Sequence, residues 1–249
     1  MSRLTKRFLV FFAFFTGLSV LEVYGSPMNS SARIAQQGEK RSDTPVLDYE
    51  AEIRITVSRE RKEKNSRFNG RGYYDKKTRI AELPGRIQML PTITHWWVRL
   101  PALPVSQSDV IVLGEVVEAE AHLSDDQTGI YSEFSIEPGD IFKDTTGSIS
   151  AGKTITANRI GGGVRFASGK IQEYRIHEQG MPLKGNRYVL FLKHEESGDF
   201  SILTGYRLSN GRVAPLDGAD NDPASGWVFS RYKGVDESQF LQELRTAIQ

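Results

Sequence analysis

The chain has 249 residues, of which 39% are hydrophobic and 25% are charged, the proportions of an ordinary globular protein. It contains no cysteine, which excludes disulfides, thiolate metal sites, a cysteine nucleophile and a lipid-modified cysteine at the N-terminus. The formal net charge is +1, so nothing in the overall composition favours nucleic acid as a partner.

Residues 1–25 have the layout of a secretory signal peptide. A positively charged start precedes an apolar run from Phe8 to Val20, and compact residues stand just before Ser26. The run is shorter than the ~20 apolar residues that a transmembrane helix needs. We therefore expect cleavage after Gly25 and export to the periplasm or the extracellular space, with no transmembrane span after cleavage. An uncleaved N-terminal anchor is the alternative.

Residues 26–48 are polar and show no hydrophobic period, which indicates a flexible spacer. Residues 49–104 then open a second region. Its first part alternates Ile53, Ile55 and Val57 with polar residues, and this pattern predicts a half-buried strand.

Residues 58–79 carry the strongest charge feature of the chain, nine basic against three acidic residues. Aromatic residues are interleaved, and such a pattern can bind phosphates and stack on bases, or bind an anionic envelope surface. The favoured interpretation is a solvated hairpin, with Asn69-Gly70 as a turn signal, or a segment docked on the acidic remainder of the chain. An anionic surface ranks second. Nucleic acid is not expected as a partner, because the protein is predicted to be exported.

Leu-Pro pairs recur between Leu83 and Pro104, which predicts extended and turn-rich backbone, because proline fixes φ and lacks a donor. Trp96 and Trp97 lie inside this part and point to opposite sides if the backbone is extended. They could form an aromatic platform for carbohydrate or for a partner. The favoured alternative is that they cover the edge of the main domain.

Residues 105–249 read as successive strands followed by a helix. Asp109–His122 and Gly129–Phe142 surround a turn cluster and predict a long β-hairpin, with Gly114 at a bend or bulge. Further strands are expected at Thr154–Ile160, Val164–Phe166, Lys170–Ile176, Tyr188–Leu192, Phe200–Leu208 and Arg212–Pro215. An amphipathic helix is predicted from Asp236 to Ile248. The expected fold is mostly β: a small barrel or sandwich with a C-terminal amphipathic helix.

The search for chemistry gives one ligand-binding candidate in this domain. Gly161, Gly162 and Gly163 allow close approach of backbone to a ligand. Basic side chains flank them or follow on the next strand, and these are Arg159, Arg165, Arg175 and His177. Together they could cradle an anionic group. The alternative is a sharp corner between two strands.

No cofactor and no metal site is expected. The histidines lack the spacing of a zinc protease motif. Three carboxylates between Asp217 and Asp222 could hold calcium, but their spacing misses the EF-hand pattern, so a polar surface turn is favoured.

The runs SDVIVLGEVVEAEAHLSDDQTGIYSEFSIEPGDIFK, GKTITANRIGGGVRF and NRYVLFL resemble a group of uncharacterised exported bacterial proteins. The resemblance covers roughly residues 105–216. In outline the chain is also similar to OB-like barrels of the netrin and metalloproteinase-inhibitor type, although the cysteines that pin that class are absent. These resemblances imply an OB-like barrel fold and transfer no functional residue.

Two classes of function follow from these observations. The favoured one is a non-enzymatic binding or assembly module of the bacterial cell envelope, whose partner is an envelope protein or polymer. The alternative is a hydrolase acting on an envelope polymer through Glu115, Glu133 or Asp140. A hydrolase needs two carboxylates that converge in a cleft, and sequence spacing cannot bring them together.

Overall fold

The computed structural model describes residues 44–70, 79–82, 100–150, 152–218 and 227–249. The predicted signal peptide and most of the predicted spacer lie outside these described residues. So do Trp96 and Trp97, together with most of the proline-rich part.

The first described elements are short. They are β1 (Val46–Asp48), α1 (Tyr49–Glu52) and α2 (Arg59–Ser66). Ser58 caps α2, because its Oγ accepts a hydrogen bond from Arg61 N at 3.2 Å. β1 lies inside the stretch assigned to the spacer, so the last residues of that stretch are structured.

Two sequence predictions are wrong in this region. The alternating pattern from Ile53 to Val57 does not form a strand. The amides of residues 53–55 instead donate back to α1, and the side chains of Ile53 and Ile55 are 43% and 57% exposed. The basic segment is, over residues 58–70, not the hairpin but the helix α2 and a following turn. It agrees with the docking alternative, since Arg61, Lys64 and Arg67 pair with carboxylates of the same chain. Long straight side chains dominate α2, and their helix propensity is high.

The predicted long hairpin is confirmed. β2 (Val110–Leu123) and β3 (Ile130–Asp144) pair antiparallel, and the register shifts between Leu113 and Gly114, where a bulge was expected. A Cβ at Gly114 would lie 2.7 Å from Ile136 Cγ2 and 2.8 Å from a backbone oxygen of β3. The hairpin therefore needs glycine at this position.

The remaining strands complete two sheets. They are β4 (Ile155–Ile160), β5 (Gly162–Arg165), β6 (Ile171–Tyr174), β7 (Arg187–His194), β8 (Phe200–Ser209) and β9 (Arg212–Pro215). Six strands form the larger sheet in the order β4-β3-β2-β7-β8-β9, and β4 also pairs with β8 in parallel. β1, β5 and β6 form the second sheet, in which β1 runs parallel to β5. The prediction of a mostly β fold is confirmed.

β7 is buried on both faces, which agrees with its nearly continuous apolar run. Tyr188, Leu190 and Leu192 belong to one apolar cluster, whereas Val189 and Phe191 belong to another. All five are at most 2% exposed. Alternate side chains of a strand point to opposite faces, so the larger sheet separates two cores.

The predicted C-terminal helix is also confirmed, as α3 (Glu237–Ile248). Asp236 caps it by accepting hydrogen bonds from two backbone amides of the first turn. Phe240 and Leu244, four residues apart on one helix face, are fully buried in the cluster that contains Val189. Among the described residues, no helix is long and apolar enough to cross a membrane.

Candidate functional site

One side of α2 contacts the larger sheet through a row of ion pairs. Arg61, Lys64 and Arg67 are three residues apart, so they project from the same side of the helix. Arg61 and Lys64 both donate to Glu133 Oε1 on β3, with a Lys64 Nζ–oxygen distance of 2.8 Å. Lys64 and Arg67 both pair with Asp199, in the turn between β7 and β8, at 3.3 and 2.9 Å. The row thus runs cation, carboxylate, cation, carboxylate, cation.

This row carries more positive than negative charge. Three cations minus two carboxylates leave a formal charge of +1. The Lys64 and Glu133 side chains are only 13% and 11% exposed, whereas Asp199 and Arg67 are 23% and 39% exposed. Water and salt screen the exposed end of the row most. The Lys64–Glu133 pair therefore holds the helix, and the Arg67–Asp199 pair lies at the open end.

Tyr131 on β3 anchors the helix beneath the ion pairs. Its hydroxyl donates to Asn65 Oδ1 at 2.6 Å and accepts a hydrogen bond from Arg61 Nη1 at 3.3 Å. The Phe68 ring stacks on the Tyr131 ring with centroids 3.8 Å apart. Burial, together with the nearby Glu133 carboxylate, raises the pKa of Tyr131, so its hydroxyl stays protonated and keeps its donor.

Glu133 is held in its ionised form. Burial opposes the charged carboxylate, but hydrogen bonds from Lys64 and Arg61 outweigh burial and lower the pKa of Glu133. A general acid needs a raised pKa near the working pH, so this environment does not suit Glu133 to proton donation.

The other two carboxylates that were candidates for hydrolysis lie elsewhere. Asp140 is seven residues farther along β3 than Glu133, which at the rise of a strand is roughly 23 Å. Glu115 and Asp140 are exposed and border a common open hollow with Arg187. Glu115 lies opposite Glu137, four residues along β3 from Glu133, or roughly 13 Å. Glu133 is therefore too far from both to form a catalytic pair.

His122 on β2 lies among three carboxylates. Its Nδ1 is 3.7 Å from Glu52, and its Nε2 is 3.7 Å from both Glu120 and Glu133. These distances are too long for hydrogen bonds, and the buried Nε2 has no hydrogen-bond partner among the described residues.

The ion-pair row borders an open groove of about 430 Å³, which we call the α2 groove. It is lined by Arg61, Lys64, Arg67 and Asp199, with Ser58 and Ser197 at its walls and Glu60 and Glu63 on the helix. Its volume is within the range of ~300–1,000 Å³ that is common for ligand sites. Because its walls are charged and polar, it suits a charged ligand and not an apolar one.

The structure does not bring Arg159 to an open cradle at the glycine loop. Arg159 donates to Asp217 Oδ2 at 2.8 Å and to Gly180 O at 2.6 Å, and its side chain is 2% exposed. Asp217 is fully buried and also accepts hydrogen bonds from Thr204 Oγ1 and Gly180 N. The predicted polar surface turn is therefore wrong for Asp217, which is half of a buried ion pair.

The three glycines pack against their own chain. Gly161 N donates to Ile130 O, and Gly163 N donates to Pro45 O. A Cβ at Gly162 would lie 2.8 Å from Ile130 Cγ2, so glycine lets this corner approach the hairpin closely. These contacts fit the interpretation of the loop as a corner that leads from β4 into β5.

The other basic residues of the predicted cradle are exposed. Arg175 pairs with Glu173 at 2.7 Å and donates to Thr44 Oγ1. His177 lies 3.3 Å from its neighbour Glu178, and Arg165 is exposed at the end of β5. Within the described part of the chain, no hydrogen bond or ion pair joins these side chains into one site.

Sequence reasoning missed the α2 groove, although one signal was present. The basic residues at positions 61, 64 and 67 recur at helical spacing, which indicates a single cationic helix face. Their acidic partners are 72 and 132 residues away along the chain, and no local pattern identifies them.

Among the described residues, no group of three or more histidine, aspartate and glutamate side chains is arranged to hold a metal ion. In the comparisons with known proteins, no family model, no curated protein and no solved structure matches the chain.

Proposed function

We propose that the protein is an exported, non-enzymatic binding module of the bacterial cell envelope, and that it binds anionic groups in the α2 groove. One observation carries the proposal: three cations of α2 share two carboxylates along an open groove. Glu60 and Glu63 also line the groove, but Arg59 and Lys62 of the same helix balance them. Residues 58–70 and the two partner carboxylates therefore keep a net charge of +1, which an anionic group in the groove would meet.

The groups that line the groove suit this role. The guanidinium of Arg67 is 39% exposed, and it offers several donors in a planar fork that matches carboxylate and phosphate oxygens. The hydroxyls of Ser58 and Ser197 supply further donors at the wall. Over residues 58–70 five basic side chains stand against two acidic ones, a net charge of +3. Glu133 and Asp199 reduce it to +1, and this remaining positive charge attracts anions.

Location and fold belong to the same proposal. Export is supported by the charged start and the apolar run that precede Ser26. An OB-like barrel is supported by the pairing of β4 with β8, which joins the first strand of the larger sheet to the fifth. The anionic partner would then be a protein or polymer of the envelope.

The hydrolase alternative is weaker. Hydrogen bonds from Lys64 and Arg61 keep Glu133 ionised, so this carboxylate is not suited to act as the general acid. Glu115 and Asp140 face solvent in an open hollow, whereas two catalytic carboxylates work in a cleft that positions the sugar and a water.

Retention of the purified protein on immobilised heparin, a polyanion probe, tests the proposal. Arg67→Gln removes the most exposed cation of the groove. Arg175→Gln is the matched control, because Arg175 is 41% exposed and also pairs with one carboxylate. We expect Arg67→Gln to elute at lower salt than the wild type, and Arg175→Gln to elute with the wild type. Equal elution of the wild type and Arg67→Gln would refute binding in the α2 groove.

A further inference from the structure

We propose that Asp199 is an internal competitor in the α2 groove, and that the ligand carries a phosphate monoester whose dianionic phosphoryl group displaces the Asp199 carboxylate. This inference rests on the proposed function and names the chemical class of the ligand. It follows from the unequal roles of the two carboxylates in the ion-pair row.

The two carboxylates differ in how firmly they are held. Glu133 lies within β3, is 11% exposed and binds the two best-buried cations. Asp199 lies in the turn before β8, is 23% exposed and lines the groove. Among the described residues, its side-chain hydrogen bonds go to Lys64 on α2 and to Arg67, which caps the C-terminus of α2. The Asp199 side chain can therefore leave its place without breaking a bond of the sheet.

The charges of the row favour a dianion over a monoanion. With Asp199 in place the sum is three minus two, or +1. It stays +1 when the rest of the helix is counted, because Arg59 and Lys62 balance Glu60 and Glu63. A monoanion that displaces Asp199 leaves +1, so it gains no charge neutralisation over the internal carboxylate. A phosphate monoester carries a charge of about −1.5 to −2 at pH 7. When a phosphate monoester replaces the Asp199 carboxylate, the sum of charges falls to about zero, because the three cations then face Glu133 and a dianion.

The donors at the groove also match a phosphoryl group. Displacing Asp199 frees the Arg67 guanidinium and removes one of the two carboxylate partners of Lys64 Nζ, which keeps its pair with Glu133. Ser58 and Ser197 lie in the same lining. A monoester offers three terminal oxygens to these donors, whereas a diester offers two. Since the groove is open, the rest of the ligand can extend into solvent.

Calorimetric titration of the purified protein at pH 7.5 tests the inference. The probes are glycerol 3-phosphate, a monoester, and dimethyl phosphate, a diester of charge −1. We expect the wild type to bind the monoester at least tenfold more tightly. Asp199→Asn should strengthen binding of both probes by about fivefold or more, the order expected from removing two partly exposed ion pairs. Glu195→Gln is the control, because Glu195 lies in the same turn but accepts its hydrogen bond from Ser201.

A second measurement uses only the wild type, so it does not depend on how a variant folds. The second proton of a phosphate monoester leaves near pH 6. Affinity for glycerol 3-phosphate should therefore rise between pH 5 and pH 7.5 relative to dimethyl phosphate, which serves as reference for any titration of the protein. A ratio that stays constant over this range would overturn the requirement for a dianion.

The same chemistry can come from a soluble molecule or from a lipid headgroup. Vesicles with phosphatidic acid, a monoester lipid, are compared with vesicles of equal phosphatidylglycerol content, a diester lipid. Selective binding to the first assigns a lipid headgroup, and binding of free glycerol 3-phosphate alone assigns a soluble ligand; both support the inference. If Asp199→Asn leaves both affinities unchanged or weakens them, the inference fails. The proposed function would still stand if Arg67→Gln elutes early from heparin.

Discussion

The buried pair of Arg159 and Asp217 gives the sharpest test of how the fold is held together. Asp217→Ala removes a fully buried carboxylate that accepts hydrogen bonds from Arg159, from Thr204 and from the amide of Gly180. The variant leaves the Arg159 charge buried without its carboxylate, and breaking a buried pair in this way costs about 3–5 kcal/mol. We expect a loss of about 4 kcal/mol in the free energy of unfolding. For a chain of this size that is about 8–16 °C in melting temperature.

Thermal and urea denaturation followed by circular dichroism measure this loss. Asp140→Ala is the control, because Asp140 is exposed on β3 and its removal should change stability by less than about 0.5 kcal/mol. The double variant Asp217→Ala with Arg159→Leu should be more stable than Asp217→Ala alone, because it removes the orphaned charge as well. A loss below about 1 kcal/mol for Asp217→Ala, or strict additivity in the double variant, would refute the reasoning.

Two further predictions concern the hairpin and its ion pairs. Gly114→Ala should destabilise the protein by about 1–3 kcal/mol, because the added Cβ would clash with Ile136 and a backbone oxygen. Gly139→Ala is the control: the nearest neighbour of its Cβ is 3.4 Å away, so this variant should lose less stability in the same melts. The lowered pKa of Glu133 adds stability that is present above its unfolded pKa of about 4.3 and is lost as the pH falls through the lower folded pKa. Melts between pH 2.5 and 6 should therefore show a shallower acid loss for Glu133→Gln, and an unchanged acid slope would contradict this.

Features that depend on neighbouring residues were predictable from the sequence. Asn210 and Gly211 both adopt positive φ, at 52° and 71°, as a tight turn between strands requires. The helix cap at Asp236 and the buried position of Phe240 also follow from spacing within one or two turns. Each of these signals lies within a few residues of the structure that it specifies.

The errors arose where distant contacts decide the outcome. Ile53 and Ile55 alternate like a strand, but local hydrogen bonds to α1 take their backbone amides. Arg159 looked like part of an anion site because its buried partner, Asp217, lies 58 residues away. For the same reason the partners of Arg61 could not be identified, since a cationic helix face does not reveal which carboxylates it meets.

The contacts of α2 also bear on the order in which the chain assembles. The hairpin of β2 and β3 closes over a short turn, whereas Arg61 meets Glu133 across 72 residues and Arg67 meets Asp199 across 132. Long loops must be closed before such contacts stabilise anything. We therefore expect pulse-labelled hydrogen exchange during refolding to protect the hairpin before α2. Until the turn that holds Asp199 has formed, Arg67 lacks its carboxylate partner, so a polyanion present during folding can bind this cation.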